Sequence, residues 1–294
     1  MTAQAAERLL HKGQDMTLCT NPLEPYLKSG ASPLRFQAPG TCAEAARHGY
    51  TGLEVAPFTL GDPASLTTAD AEKLGAIVRD HGLEMVGFHW LLAKTEGYHL
   101  TDPDPTVQAR TFAYARHLAE LCSAMGGKIM VWGSPQQRTL HPSWSRPDAE
   151  ARTIDFFQNL SPHLAAAGIT IAFEFLGPTE TNFINTAAET IALLEKINSP
   201  NVRLHLDVKA MSADTRLIPE IVRTSLPWTA HFHANDPNLR GPGMGEIDFP
   251  PVATELMHGG YDKWVSVEVF DTTISPDILA AESMKNMRAA FPSV

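Results

Sequence analysis

The stretch AAGITIAFEFLGP, residues 166–178, decides the fold. Small residues and Gly168 close a helix, an apolar run rich in β-branched and aromatic residues reads as a short strand, and Gly177-Pro178 breaks it. At the end of the run stands an acid, Glu174. A carboxylate after a strand of this kind needs a reason.

The same pattern recurs outward along the chain. HGYTGLEV (48–55), DHGLEMVGF (80–88) and MGGKIMVW (125–132) repeat the turn from helix to strand before this stretch. After it come LHLDVKAM (204–211), HFHANDPN (231–238) and VSVEVF (265–270), each with a polar residue interrupting or ending an apolar run. Eight strands are predicted: 16–20, 52–56, 83–89, 128–132, 169–174, 202–207, 229–234 and 264–269. Helical stretches at 69–81, 105–125, 146–167 and 187–196 alternate with them, several opened by a capping Thr or Asp. Strict alternation at this length predicts a single-domain α/β protein, one (β/α)8 barrel over residues 1–294. The proline-rich stretches 135–147 and 237–251 follow strands and are predicted to be loops of the active face.

Composition narrows the function. With 294 residues, 44% hydrophobic and 19% charged, the chain has the profile of a soluble enzyme. No apolar run is long enough to span a membrane, and the first residues lack the apolar core of a secretory signal, so a cytoplasmic protein without a membrane partner is predicted. The net charge of −10 disfavours nucleic acid as a partner. Cys19, Cys42 and Cys122 are an odd, widely spaced set, read as free thiols.

In such a barrel, chemistry lies at the C-terminal ends of the strands. Glu174, Asp207, His233 and Glu268 fall near the ends of strands five to eight, on neighbouring elements, and are predicted to converge as ligands of one divalent metal. Four buried ionisable groups in one quadrant would otherwise oppose one another. Oxygen-rich coordination with one imidazole favours Mn2+, with Mg2+ or Co2+ as alternatives.

The ligand spacing, with the segments GFHWLL, GSPQQR, FEFLGP, LDVKAM, HFHANDPN and SVEVF, resembles the xylose isomerase-like barrels over nearly the whole chain. It resembles especially the ketose 3-epimerases related to D-tagatose and D-psicose 3-epimerase, and proteins described broadly as sugar phosphate isomerase/epimerase. The resemblance implies a small sugar or keto-sugar substrate and a metal-dependent isomerase. Glu174 and Glu268 match the family's acid/base pair: one removes the proton beside the carbonyl, leaving an enediolate, and the other returns a proton to the opposite face. Glu180 matches a position that contacts the far hydroxyl end of the sugar. The resemblance also implies a homo-oligomer, dimer or tetramer.

The chain departs from that pattern at two places. The family's epimerases carry a His three residues after the ligand Asp and an Arg six residues after the ligand His, where this chain has Ala210 and Leu239. Lys209, two residues beyond Asp207, and Arg240 are candidates to replace those contacts; the other reading of Lys209 is a salt bridge to a ligand carboxylate or to Glu180. His89 and Trp132 are predicted to line the other half of the mouth. Arg138 and Glu54 are weaker candidates that would pair with each other, and His205 and His231 lie one layer deeper, where they would orient ligands or fill the core. Besides 3-epimerisation, the readings left open are an aldose–ketose isomerase and a lyase or dehydratase acting by β-elimination, for example on a 3-keto-glycoside. A degenerate binding module would contain no metal, and an abasic-site endonuclease would need more His ligands and a basic face.

Overall fold

Short apolar runs flanked by capped helices build the molecule, and the computed structural model describes residues 16–19 and 38–291. The strands are β1 (Met16–Cys19), β2 (Gly52–Val55), β3 (Glu84–Phe88), β4 (Ile129–Trp132), β5 (Thr170–Glu174), β6 (Val202–Asp207), β7 (Thr229–Ala234) and β8 (Val265–Val267). They pair in parallel in sequence order, and β1 pairs with β8 to close the barrel. The eight strands expected from the sequence are present, and their bounds agree to within a residue or two. Thr20 and the side chain of Cys19 lie outside the described residues.

The helices are α1 (Ala38–Arg47), α2 (Thr68–Asp80), α3 (Pro105–Met125), α4 (Arg146–Ala167), α5 (Ala187–Ile197), α6 (Val208–Ser212), α7 (Ile218–Ser225), α8 (Phe249–His258) and α9 (Pro276–Ala290). Thr67, Asp104, Ser145 and Thr186 each accept a backbone N–H at the start of α2, α3, α4 and α5, satisfying donors the first turn cannot pair. Asp207 ends β6 and caps the short α6, so one side chain fixes the strand end and the following turn.

Two register shifts fall beside polar residues of the barrel interior. The β2–β3 pairing slips between Leu53 and Glu54, and the β6–β7 pairing slips between Leu204 and His205. Such a bulge re-aims the side chains beside it.

The layer between barrel and helices corrects one expectation. Trp132 is buried against Phe156 and Phe157 of α4, with ring centroids 5.4 and 5.1 Å away. It does not line the mouth. Its register partner is Phe173, which also meets Phe157. Because Glu174 turns inward, its neighbour Phe173 must turn outward, and Trp132 in the same row follows it.

Candidate metal centre

Strands β5 to β8 bring their terminal polar groups together at the C-terminal mouth. Glu174, Asp207, His233 and Glu268 are all buried. One donor atom from each of Glu174, Asp207, His233 and also His205 lies within 4.8 Å of the others. Glu268 stands to one side of that group, its Oε1 2.9 Å from His89 Nδ1 and its Oε2 3.3 Å from His233 Nδ1.

Each group is held by a specific neighbour. Asp207 Oδ1 accepts the Ala210 N–H at 2.8 Å, and its Oδ2 accepts the Asn235 side-chain amide at 2.6 Å. Asn235 in turn accepts the Lys209 backbone N–H. Glu174 lies over Gly133: a Cβ at that position would stand 2.1 Å from Glu174 Oε2, so a side chain there would push the carboxylate out of this placement. His233 turns Nε2 to Glu54 Oε1 at 3.2 Å, and Nδ1 faces Glu268 and Asp207.

The electrostatics fit a cation. Burial, then the charges of Asp207 and Glu268, push the Glu174 carboxyl well above the ordinary carboxylate range. Burial and Glu268 raise Asp207 to about 6. For Glu268 burial acts in the same direction, but His233 and His89 overcome it and hold the carboxyl down at about 2. Three carboxylates crowded this way carry excess negative charge, and carboxylate oxygens with imidazole nitrogens are a donor set for a divalent metal.

Beneath this group lies an arrangement that sequence reasoning missed. Glu54, wholly buried on β2, reaches across the barrel to His231 Nε2 at 2.8 Å, to His233 and to the Ser266 hydroxyl at 2.8 Å. Burial opposes its ionisation, but the two imidazoles pull its carboxyl well below the usual range. The expected pairing of Glu54 with Arg138 does not form. Arg138, buried on the loop after β4, donates instead to the Glu174 carbonyl and sits over the Phe173 ring. A sequence shows that both are charged, but the distance across a barrel depends on closure.

The remaining candidates divide. Lys209 Nζ pairs with Glu180 at 2.7 Å, both partly exposed at the mouth. Arg240 is taken up by Asp271 at 2.8 Å, and its side chain therefore braces the loop after β8 instead of occupying the place of the family's Arg. Leu239, at the divergent position, adopts φ 70° and accepts the N–H groups of Phe270 and Asp271 through its carbonyl. His89 is fully buried against Glu268. The aromatic surface near it is Trp90 stacked on Phe270 at 5.1 Å, with Phe58 at 6.3 Å from Trp90. Only the Trp90 that follows His89 hinted at this surface in the sequence.

A (β/α)8 barrel whose acids and imidazoles gather at the ends of its last four strands carries at its mouth a donor set that could hold a divalent metal. The chain belongs to the xylose isomerase-like TIM barrel family, whose model matches residues 42–290. It is 26% identical to the L-ribulose 3-epimerase of Methylomonas sp. (strain DH-1) over 232 residues, covering 79% of this chain and 78% of that one. It is 22% identical to the ketose 3-epimerase of Arthrobacter globiformis, covering 83% of this chain and 82% of that one. Among solved structures, D-psicose 3-epimerase with D-tagatose from Clostridium cellulolyticum H10 superposes with a TM-score of 0.80 at 18% identity, covering 94% of this chain and 98% of that one. Among the described residues, no helix is long and apolar enough to cross a membrane.

Proposed function

We propose that the protein is a divalent-metal-dependent epimerase that inverts carbon 3 of a ketose or keto-sugar. The observation that carries this reading is the buried cluster of Glu174, Asp207, His233 and Glu268 at the mouth of a barrel similar in sequence to ketose 3-epimerases. These four residues would hold the metal, with Mn2+, Mg2+ or Co2+ suited to the donors. A bound cation supplies positive charge beside the carbonyl and neighbouring hydroxyl of the sugar, which acidifies the hydrogen on the carbon between them.

The side chains perform the proton transfers. Glu268 accepts the proton from carbon 3, and the C–H electron pair passes into an enediolate. Glu174 delivers a proton to the opposite face of the same carbon while the carbonyl re-forms, so atoms balance and only the configuration changes. In the reverse direction the two exchange roles. β6 and β7 separate the strands carrying them, which supports approach from two sides. His89 fixes the Glu268 carboxylate, and Gly133 leaves the space Glu174 occupies. Glu180 and Lys209 bind hydroxyl groups at the far end of the sugar, and the Trp90–Phe270 stack offers it an apolar face.

Proton NMR in D2O tests the reading with a panel of ketoses, ketose phosphates and 3-keto-glycosides and Mn2+-loaded protein. Deuterium at carbon 3 together with the 3-epimer is expected. Label at another carbon with an aldose product, or release of an aglycone, would replace epimerisation with isomerisation or elimination.

A further inference from the structure

His205 is the one group in the donor cluster that the ligand spacing did not supply. It lies on β6, two residues before Asp207, with its ring fully buried. Neither of its ring nitrogens has a hydrogen-bond partner among the described residues. A neutral imidazole buried without partners loses hydration at both nitrogens and gains nothing in return, an arrangement that calls for an occupant.

Geometry says where that occupant sits. His205 pairs in register with Glu174 on β5, so the two side chains are lateral neighbours, while Asp207 and His233 form the next row toward the mouth. The register slip between Leu204 and His205 falls at this residue. One donor atom of His205 lies within 4.8 Å of donor atoms on Glu174, Asp207 and His233. Its ring is 4.2 Å from that of His233, centroid to centroid, with the planes at 78°. Two imidazoles bound at right angles to one ion, with metal–nitrogen bonds of about 2.1 Å, place their ring centres on the order of 4.5 Å apart. His231, the other deep histidine, gives Nε2 to Glu54, so its ring is already anchored.

We propose that His205 is a ligand of the metal, making this a two-imidazole centre bound between two rows of the barrel. The inference rests on the metal-binding part of the function proposed above, but not on the reaction or its substrate. The chemical consequence is metal choice. A second imidazole in place of an oxygen ligand favours Co2+, Ni2+ and Zn2+ over Mn2+ and Mg2+ more strongly than one imidazole among carboxylates does.

The test counts imidazoles. Electron spin-echo envelope modulation of the Mn2+-loaded full-length protein is expected to show nitrogen couplings from two histidines, falling to one in His205→Leu. Calorimetric titration should show Co2+ affinity dropping about tenfold or more in that variant, with a smaller change for Mn2+. Should His205→Leu fail to fold, His205→Asn carries the comparison, and the wild-type imidazole count stands by itself. A single imidazole in the wild type, or two that persist without His205, would overturn the proposal and leave the epimerase reading intact. If the wild type binds neither Mn2+ nor Co2+, both this inference and the metal-dependent reading fail together.

Discussion

Glu54 shows how one buried carboxylate can organise a site from below. It accepts from two imidazoles and a hydroxyl, and by occupying His233 Nε2 it fixes which nitrogen of that ring faces Asp207 and Glu268. A carboxylate behind a ligating imidazole sets both its tautomer and its orientation. Glu54→Gln keeps the size but brings an N–H2 group to two nitrogens that each need an acceptor. Metal affinity measured by calorimetry should fall by roughly ten- to a hundredfold, with Glu54→Leu losing more; unchanged affinity in both variants would remove Glu54 from the machinery. Glu174→Gln and Glu268→Gln act differently. Each should abolish formation of the 3-epimer while retaining part of the sugar binding, and full turnover in either would end the acid/base assignment.

At the scale of elements, strand ends and register do most of the positioning, and β3 and β4 approach closely at Gly87. The two strands pair through Gly87↔Ile129 and Phe88↔Met130. A Cβ on residue 87 would lie 1.8 Å from the Ile129 carbonyl oxygen, a backbone atom that cannot rotate away. Gly87→Ala should therefore open the seam and lower the urea midpoint by the equivalent of on the order of 3 kcal/mol, whereas Gly40→Ala, with nothing within 4 Å of the added methyl, should be neutral or better. Equal midpoints for the two variants would contradict the close approach. Legibility in the sequence obeys the same logic. The alternation of apolar runs and capped helices makes the barrel legible, and Glu174 fixes the phase of β5 because a charge marks which face is inward. In β4 the run Ile129–Trp132 is apolar on both faces, so its phase is not written in the residues, and Trp132 faces the helices instead of the mouth. The partners of Glu54 and Arg138, and the proximity of His205 to the acids, depend on ring closure and two bulges, which local pattern does not encode.

Across the whole molecule, the buried carboxyl groups of the site couple metal binding to stability and to pH. Asp207 is raised from 3.8 to about 6, and Glu174 is raised as well, both by burial first and then by neighbouring acids. Between about pH 4 and about pH 6 the metal-free native state therefore holds protons that the unfolded chain has lost. Stability from these two groups falls as pH rises through that window. His205 and His231 work in the opposite sense: burial depresses both, so the unfolded chain takes up protons below about pH 6.5 that the native state refuses, and their contribution is lost on acidification. The melting temperature of the metal-free protein thus mixes two opposing slopes, but the increment produced by metal does not. A cation must displace the proton held by Asp207, while Glu174 keeps the proton it delivers to carbon 3, so metal affinity should rise about tenfold per pH unit as that proton is released, then level off once Asp207 is ionised above about pH 6. Stabilisation follows affinity through mass action. At a fixed Co2+ concentration the rise in melting temperature should be clearly larger at about pH 7.5 than at about pH 5, with proton release detected by calorimetry in buffers of different ionisation enthalpy only at the lower pH. Equal increments at the two pH values, without proton release, would mean that the metal does not bind through the Asp207 carboxylate.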